Sequence, residues 1–495
     1  MVKDLLVLGG GNAGLMAALY LKAAYPEMNI TVVKSDKIGT IGVGEGSTEH
    51  WTAFAAATGI LNREIIEEAG ATLKAGIIFD NWHGDGTKYY HSLGEHMSQL
   101  NTFTGIPYSM MRLIGEGHDD KALLWDVAAK GLFSKNAEQL FSQFHFDSIK
   151  LNNLFLRKCR ERNINIIDAE ITDAILDDQG FVECIVDVNN NKYAADFFVD
   201  SSGFKRVIAS KLGATWVDWS AHLPMNSAIA FPSPYQEDIP GYTLAKSMSS
   251  GWQWRSPVQD RFGNGYVFCD AFISEEQAIA EIQRDFPDVI EIGRKVSFVS
   301  GCVNKAWIKN CVSIGLSSNF VEPLEASNIS TTVQQSRLLG IGLSTWNRNE
   351  TFTANHYNDL CDSMMKNILD FIQLHYFCQR DDSEFWKWTK HGIKLTDFNA
   401  EHLESFKTNF INQLALPSTN YNIYDILNWG QVMHGLRMFD TQSVDKMYKT
   451  MHNHLTGQSI FETSTLPTED NEEFVTSREA INIIKKKFTQ VEYKL

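Results

Sequence analysis

Basic charge, paired cysteines and long apolar runs are all scarce in this chain of 495 residues, and each shortage narrows what it can be. With 44 Lys and Arg against 60 Asp and Glu, the formal net charge is −16. Such a balance repels polyanions, so nucleic acid and anionic lipid are poor partners and a small-molecule substrate fits better. The seven cysteines (Cys159, Cys184, Cys269, Cys302, Cys311, Cys361 and Cys378) are scattered and contain no C-x-x-C pair. That pattern argues against a disulfide framework and against a zinc site; reduced thiols in a cytoplasmic protein without bound metal are expected. No apolar run reaches the ~18 to 20 residues that cross a bilayer. The longest, over 5–24, is broken by three successive glycines and an asparagine, and it lacks the basic start and cleavage site of a signal peptide. Internal repeats and low-complexity linkers are missing too, which favours interleaved segments over beads on a string.

Aromatic residues are plentiful at 12%, with 12 Trp and 30 Phe. Their first use is a large core, for which the length is ample. Residues 4–21 read as a short buried strand, a glycine turn and a helix, with a second strand over 30–33, the order that starts a doubly wound sheet. Gly9, Gly11 and Gly14, with Asn12 and Ala13 between them, form G-x-G-x-x-G in that context. The first glycine permits the tight turn, the second lets backbone approach a pyrophosphate, and the third lets helix and strand pack closely. The helix amino terminus then offers its unbonded N–H groups to the phosphates. A carboxylate is expected at the end of the second strand to bind ribose hydroxyls, but Lys34 stands there, leaving Ser35 or Asp36 to substitute.

Further along, strands are predicted over 164–168, 171–176, 181–188 and 197–200, with turns at Asp178-Gln-Gly180 and Asn189-Asn-Asn191. Residues 205–300 mix turns with aromatic strands and suggest a sheet-rich platform. From about 328 onward apolar residues recur every three or four positions, as over 330–346 and 357–377, which predicts helices.

Several blocks resemble the flavin-dependent tryptophan halogenase family. They are Ile41-Gly42-Val43-Gly44-Glu45; Ala71-Thr-Leu-Lys74-Ala-Gly into Asp80-Asn-Trp82; and Gly251-Trp252-Gln-Trp254-Arg-Ser-Pro257, similar to the family's W-x-W-x-I-P signature with Ser256 for isoleucine. Lys305-Ala-Trp307, Asn310 through Gly315-Leu-Ser317-Ser318, and Phe320-Val-Glu-Pro-Leu-Glu325 resemble its second flavin segment and P-L-E turn, and His375-Tyr-Phe with Arg380-Asp-Asp to Phe385-Trp386 extends the likeness to about residues 4–390.

The resemblance implies an α/β fold, in which a Rossmann-like, aromatic-hydroxylase-type FAD module with an added sheet over 1–330 precedes a mainly helical substrate-binding region over 331–495. It implies FAD, supplied as FADH2, together with dioxygen and a halide ion as reactants. Hypohalous acid made from them passes through a tunnel to the substrate. Lys74 and Glu325 match the family's catalytic lysine and glutamate. A lysine can hold hypohalous acid by hydrogen bonding or carry the halogen as a haloamine, and both routes are open to it. A carboxylate can take the proton that the ring loses on substitution.

Backbone N–H groups of Ser327 and Asn328 match the halide cradle. Asn328 stands where the family has glycine and tolerates the positive φ expected there; Ala326 replaces a serine, and the altered halide site is expected to favour bromide or iodide over chloride. Trp252 and Trp254, on one face of a strand, are credited in the family with walling the flavin off from the substrate, though plain core packing also accounts for them. His91 and Leu93 fall where tryptophan-specific members place a His and a Phe, and Tyr421, Tyr424, Trp429 and Met433 are further candidates. Leu93 breaks that pattern, which counts against free tryptophan and leaves another indole, a phenol or a pyrrole open as substrate. With one nucleotide fingerprint, the chain implies a separate NAD(P)H-dependent flavin reductase; homodimer formation is left open. A flavin aromatic hydroxylase and a non-catalytic flavin-binding protein are the alternative readings, and Lys74 and Glu325 count against both.

Overall fold

The computed structural model describes residues 2–38, 44–92, 111, 114, 132–134, 143–235, 239–349, 351–412, 414–416, 421–455 and 474–491. The chain divides into two compact units of three segments each: Met1–Ala71, Phe146–Ser220 and Val299–Lys366 form one, and Thr72–His145, Ala221–Phe298 and Asn367–Leu495 the other.

The first unit is built on a six-stranded sheet in the order Trp307–Ile308, Cys311–Ser313, Phe197–Asp200, Asp4–Leu8, Asn29–Lys34, Asn165–Asp168. All neighbours are parallel except the edge hairpin of Trp307–Ile308. Chain order therefore runs outward in both directions from Asp4–Leu8, the reversal that defines a doubly wound sheet. Its central strands, Leu-Leu-Val-Leu and Phe-Phe-Val-Asp, are buried on both faces, as parallel strands under cover must be. One cover is the small antiparallel sheet of Ile171–Leu176, Val182–Asp187 and Lys192–Ala194, whose Ile171, Ala174, Val182 and Ile185 pack with Leu6, Val33 and Phe198. The helices Asn12–Ala24, Ser148–Glu161 and Ser327–Leu343 also belong to this unit, the first touching the other two. The predicted turns are present, with Gly180 and Asn190 at positive φ; the strand Lys192–Ala194 was not anticipated.

The second unit carries a seven-stranded sheet: Lys295–Ser297, Ser227–Pro234, Arg261–Phe268, Gly251–Pro257, Tyr242–Met248, Gly76–Asp80, Lys88–Ser92. Every pairing is antiparallel except that of Tyr242–Met248 with Gly76–Asp80. The helix Glu275–Asp285, begun by a Ser274 capping box, lays Ala278 and Ile282 on Ile229, Phe231, Tyr266 and Phe268. The motif tryptophans pin the sheet: Trp82 Nε1 donates to Ala245 O at 2.9 Å and Trp386 Nε1 to Met248 O at 2.7 Å, and their rings meet at 5.6 Å. Arg380 adds a bond to Ser247 Oγ and a 2.6 Å pair with Asp382.

The first unit's most heavily used polar group is the buried Asp200 carboxylate. Oδ1 accepts from Ser202 N, Ser202 Oγ and Ser317 Oγ, and Oδ2 accepts from Ile208 N and Ala209 N, over 2.6–3.2 Å. Asp200→Ala orphans these donors, and a loss of about 2–4 kcal/mol is expected, since single hydrogen bonds to a charged group contribute about 1.5–3 kcal/mol. Urea unfolding of the variant checks this; a loss below about 1 kcal/mol would contradict the carboxylate's role.

Candidate active site

In the first unit the strand Asp4–Leu8 ends in Gly9 at φ +124°, a conformation that suits only glycine. A Cβ on Gly9 would come 2.1 Å from Ser201 O, and one on Gly14 would come 2.2 Å from Gly9 O. Both glycines are therefore required by backbone contact. Gly11 differs: its φ of −69° is ordinary, and an added Cβ would meet nothing within 4 Å. Gly11 also caps the helix Asn12–Ala24 with no side-chain hydrogen bond to its first turn. An open position beside bare N–H groups is the cradle that a pyrophosphate needs, so the residues present fit a dinucleotide cofactor.

The second flavin segment reaches the same place. Gly315, at φ +65°, lies so close to Ala13 that a Cβ there would stand 2.5 Å from the alanine methyl. Ser317 Oγ bonds Asp200 and Gly203 O, and Ser318 Oγ accepts from Gln335 Nε2 at 2.6 Å. Asn152, which belongs to no motif, braces the turn by donating from Nδ2 to Gly10 O at 2.9 Å and Asn12 Oδ1 at 3.1 Å. Lys34 ends its strand against Gly10 and pairs with the Asp36 carboxylate. Gly44 and Glu45 open the strand Gly44–Gly46; Gly42, Val43 and Leu93 lie outside the described residues.

Glu325, fully buried, ends the 3-10 turn Pro323–Glu325, and Ser327 and Asn328 begin the helix Ser327–Leu343. One expectation is corrected here. The positive φ belongs to Ala326, at +54°, whereas Asn328 is helical, and its carbonyl accepts the Thr331 and Thr332 hydroxyls at 2.9 Å each. The bend falls before the helix, so its strain, about 1–2 kcal/mol for a residue with a Cβ, is borne by alanine. Ser327 Oγ, also buried, has no hydrogen-bond partner among the described residues.

In the second unit Lys74 follows the two-residue strand Thr72–Leu73 and is 1% exposed. Thr72 pairs with His145 and Leu73 with Phe144, and Lys74 N donates to Gln143 O at 3.0 Å. Thr72 Oγ1 donates to Pro257 O at 2.7 Å, tying this ladder to the last residue of the tryptophan signature strand. Having spent its one proton there, the hydroxyl must accept from His145 Nδ1, 3.2 Å away; His145 Nε2 then accepts from Thr243 Oγ1 at 2.9 Å. In its neutral form His145 is therefore the Nδ1–H tautomer. Burial, and secondarily the positive charge of Lys74, hold its pKa well below the ordinary histidine range.

Trp252 and Trp254 do share a face, with ring centroids 6.4 Å apart, and Trp254 lies flat on Gly265, where a Cβ would come 1.8 Å from the ring. His91 is buried, with Nε2 accepting from Asn428 Nδ2 at 3.0 Å. Its ring neighbours are Phe371 at 5.5 Å and Tyr424 at 6.5 Å. Tyr424 stacks on Phe371 at 4.1 Å, Trp429 packs between Phe371 and Phe398, and Met433 is buried on the same helix, Ile426–Gly435. Tyr421 is half-buried. No cluster of metal-ligating side chains occurs among the described residues, and no helix among them is long and apolar enough to cross a membrane.

With this geometry in view, residues 4–453 match the tryptophan halogenase family. The chain belongs to that family. It is 30% identical to tryptophan 6-halogenase ThaL of Streptomyces albogriseolus over 461 residues, covering 86% of this chain and 85% of the relative. It is 30% identical to tryptophan 7-halogenase RebH of Lentzea aerocolonigenes, covering 82% of each. The solved structure of BrvH, a flavin-dependent halogenase from Brevundimonas sp. BAL3, superposes with a TM-score of 0.80 at 26% identity, covering 92% of this chain and 95% of that one. As a tryptophan halogenase family member, the protein is a flavin-dependent halogenase of aromatic substrates.

Two outcomes are expected of this site. Gly11→Asp should fold normally, because the position is open and aspartate is a favoured helix cap, yet lose FAD affinity at least about tenfold through its charge against the pyrophosphate; FAD titration at unchanged thermal midpoint is the check, and undiminished affinity counts against the cradle. His145 gives a pH signature. Its folded pKa lies below the unfolded value near 6.5, so below that pH the unfolded chain binds a proton that the folded chain does not, and stability falls as pH drops, by up to about 1.4 kcal/mol per pH unit from this site. Denaturation between pH 7.5 and 5 should show a shallower loss in His145→Gln than in the wild type; equal slopes would contradict the buried neutral imidazole.

Proposed function

We propose that the enzyme delivers hypohalous acid to an electron-rich indole, phenol or pyrrole through Lys74 and Glu325. The observation that carries this reading is the complete burial of both side chains. Burying an ammonium and a carboxylate is costly; Lys74 is the one fully buried lysine among the described residues, and Glu325 is, with Asp200 and Glu322, among the fully buried carboxylates.

FAD in its reduced form is held by Gly9, Gly11, Asn12, Ala13 and Gly14, by the 42–45 segment and by Gly315, Ser317 and Ser318; Asp36 contributes at the ribose from its pairing with Lys34. Bound FADH2 would activate dioxygen, the oxidant, which takes two electrons from the flavin and two from the halide, so that FADH2, O2, X− and a proton give FAD, HOX and water. The halide, whether chloride, bromide or iodide, sits at the N–H groups of Ser327 and Asn328, where the first turn of the helix Ser327–Leu343 leaves donors without intrahelical partners. Lys74 binds the hypohalous acid and directs its halogen toward one ring carbon. Glu325 stabilises the cationic ring and accepts the proton that the carbon gives up. His91, Leu93, Tyr421, Tyr424 and Trp429 contribute to the substrate end, their aromatic surroundings suiting a flat ring. A separate NAD(P)H-dependent reductase provides FADH2, and the protein works in the cytoplasm as a monomer or homodimer.

Lys74→Ala should leave FAD binding and flavin oxidation within about twofold of wild type while product per flavin oxidised falls about 10²-fold or more, because positioning is lost. Glu325→Gln should retain a residual rate, about 10²- to 10⁴-fold down, since an amide orients but is a weak base. Product and flavin oxidation are measured together, with and without a hypohalous acid trap. Wild-type product from Lys74→Ala that the trap abolishes would mean that free oxidant does the work.

A further inference from the structure

The ladder that holds Lys74 carries, opposite it, a buried polar side chain that bonds to nothing among the described residues. Thr72 faces His145 and Leu73 faces Phe144; one step further in the same register, Lys74 faces Gln143, its N–H bonded to the Gln143 carbonyl at 3.0 Å. Residues directly opposite in an antiparallel pair project from the same face with Cβ atoms about 5 Å apart, and the Thr72–His145 side-chain bond at 3.2 Å fixes which face that is. Gln143 is 1% exposed. Neither its Nε2 nor its Oε1 has a hydrogen-bond partner among the described residues. A buried primary amide with both ends unsatisfied is destabilising, so a role in packing does not account for it.

We propose that the Gln143 carboxamide is a second binding group for hypohalous acid beside Lys74. This rests on the catalytic reading of Lys74 and completes its chemistry. An ammonium has three donors and no acceptor, so it can hold the oxygen of HO–X but not the hydroxyl proton. The carboxamide offers both: Oε1 accepts the O–H and Nε2 donates to the oxygen. Keeping the proton engaged retains the oxidant as the acid, which is a better halogen electrophile than hypohalite, and two anchors on the HO end turn the halogen outward. His145, on the same face, cannot take this part, because both of its ring nitrogens are committed to threonine hydroxyls.

The test uses the full-length enzyme with FADH2 supplied, and reads product per flavin oxidised, oxidant captured by an added trap, and the thermal midpoint. Gln143→Met keeps the shape of the side chain and removes both hydrogen-bonding atoms. Flavin oxidation should stay within about twofold of wild type, product per flavin should fall about tenfold, the worth of one neutral hydrogen bond, and trapped oxidant should rise to match. The midpoint should hold or increase. In Gln143→Glu the ionised carboxylate can accept but not donate, so product per flavin should recover as falling pH protonates it, a trend absent from wild type; this profile decides the matter if the methionine variant does not fold. Wild-type product ratios in Gln143→Met, loss of product only in step with flavin oxidation and midpoint, or a Gln143→Glu profile parallel to wild type would each overturn the proposal. Lys74→Ala run alongside separates the two levels: if it retains product, the catalytic reading falls and this inference with it, whereas loss there with normal Gln143→Met defeats the glutamine alone.

Discussion

A lysine side chain kept out of water is held in place by much of what surrounds it. Lys74 sits at the end of a strand of two residues, too short to hold its own register, and neighbouring side chains hold it instead. Thr72 is bonded to Pro257 and His145, and His145 to Thr243, so the lysine's backbone is tied at once to the signature strand and to the central part of the seven-stranded sheet. Burial holds the imidazole of His145 neutral in that dry ladder, and the charge of Lys74 acts in the same direction.

At the nucleotide end the governing constraint is close approach of backbone rather than charge. Gly9, Gly14 and Gly315 bring three segments around Ser201 to distances at which a side chain on any of the three would collide with its neighbours. The buried Asp200 and the Asn152 amide then lock the loops that the glycines allow to meet. Gly11 alone among these faces open space, so no contact within the fold requires a glycine there.

The signature tryptophans show how packing and function share residues. Trp252 and Trp254 occupy one face of a central strand, and the ring of Trp254 requires Gly265 on the neighbouring strand. Trp82 and Trp386 each donate to a backbone carbonyl of the sheet. Each of these motif residues packs on the sheet or bonds to it, which stiffens the platform. His91, Tyr424 and Trp429 likewise belong to a packed aromatic group around Phe371.

The sequence by itself determined whatever depends on short-range pattern. A glycine fingerprint between strand and helix, alternating strands with turn residues at Gly180 and Asn190, and the P-L-E and W-x-W motifs are written within about a dozen residues each, and steric rules acting over that span leave few alternatives. The tertiary structure alone decided what depends on contacts between distant segments. Asn152 supports a turn some 140 positions earlier, Gln143 faces Lys74 through a register that no local pattern encodes, and the left-handed residue of the P-L-E turn proved to be Ala326 and not Asn328 because the helix starts two residues sooner than the glycine analogy implied. Long-range hydrogen bonds and burial fix these features, and neither can be computed from neighbours in the chain.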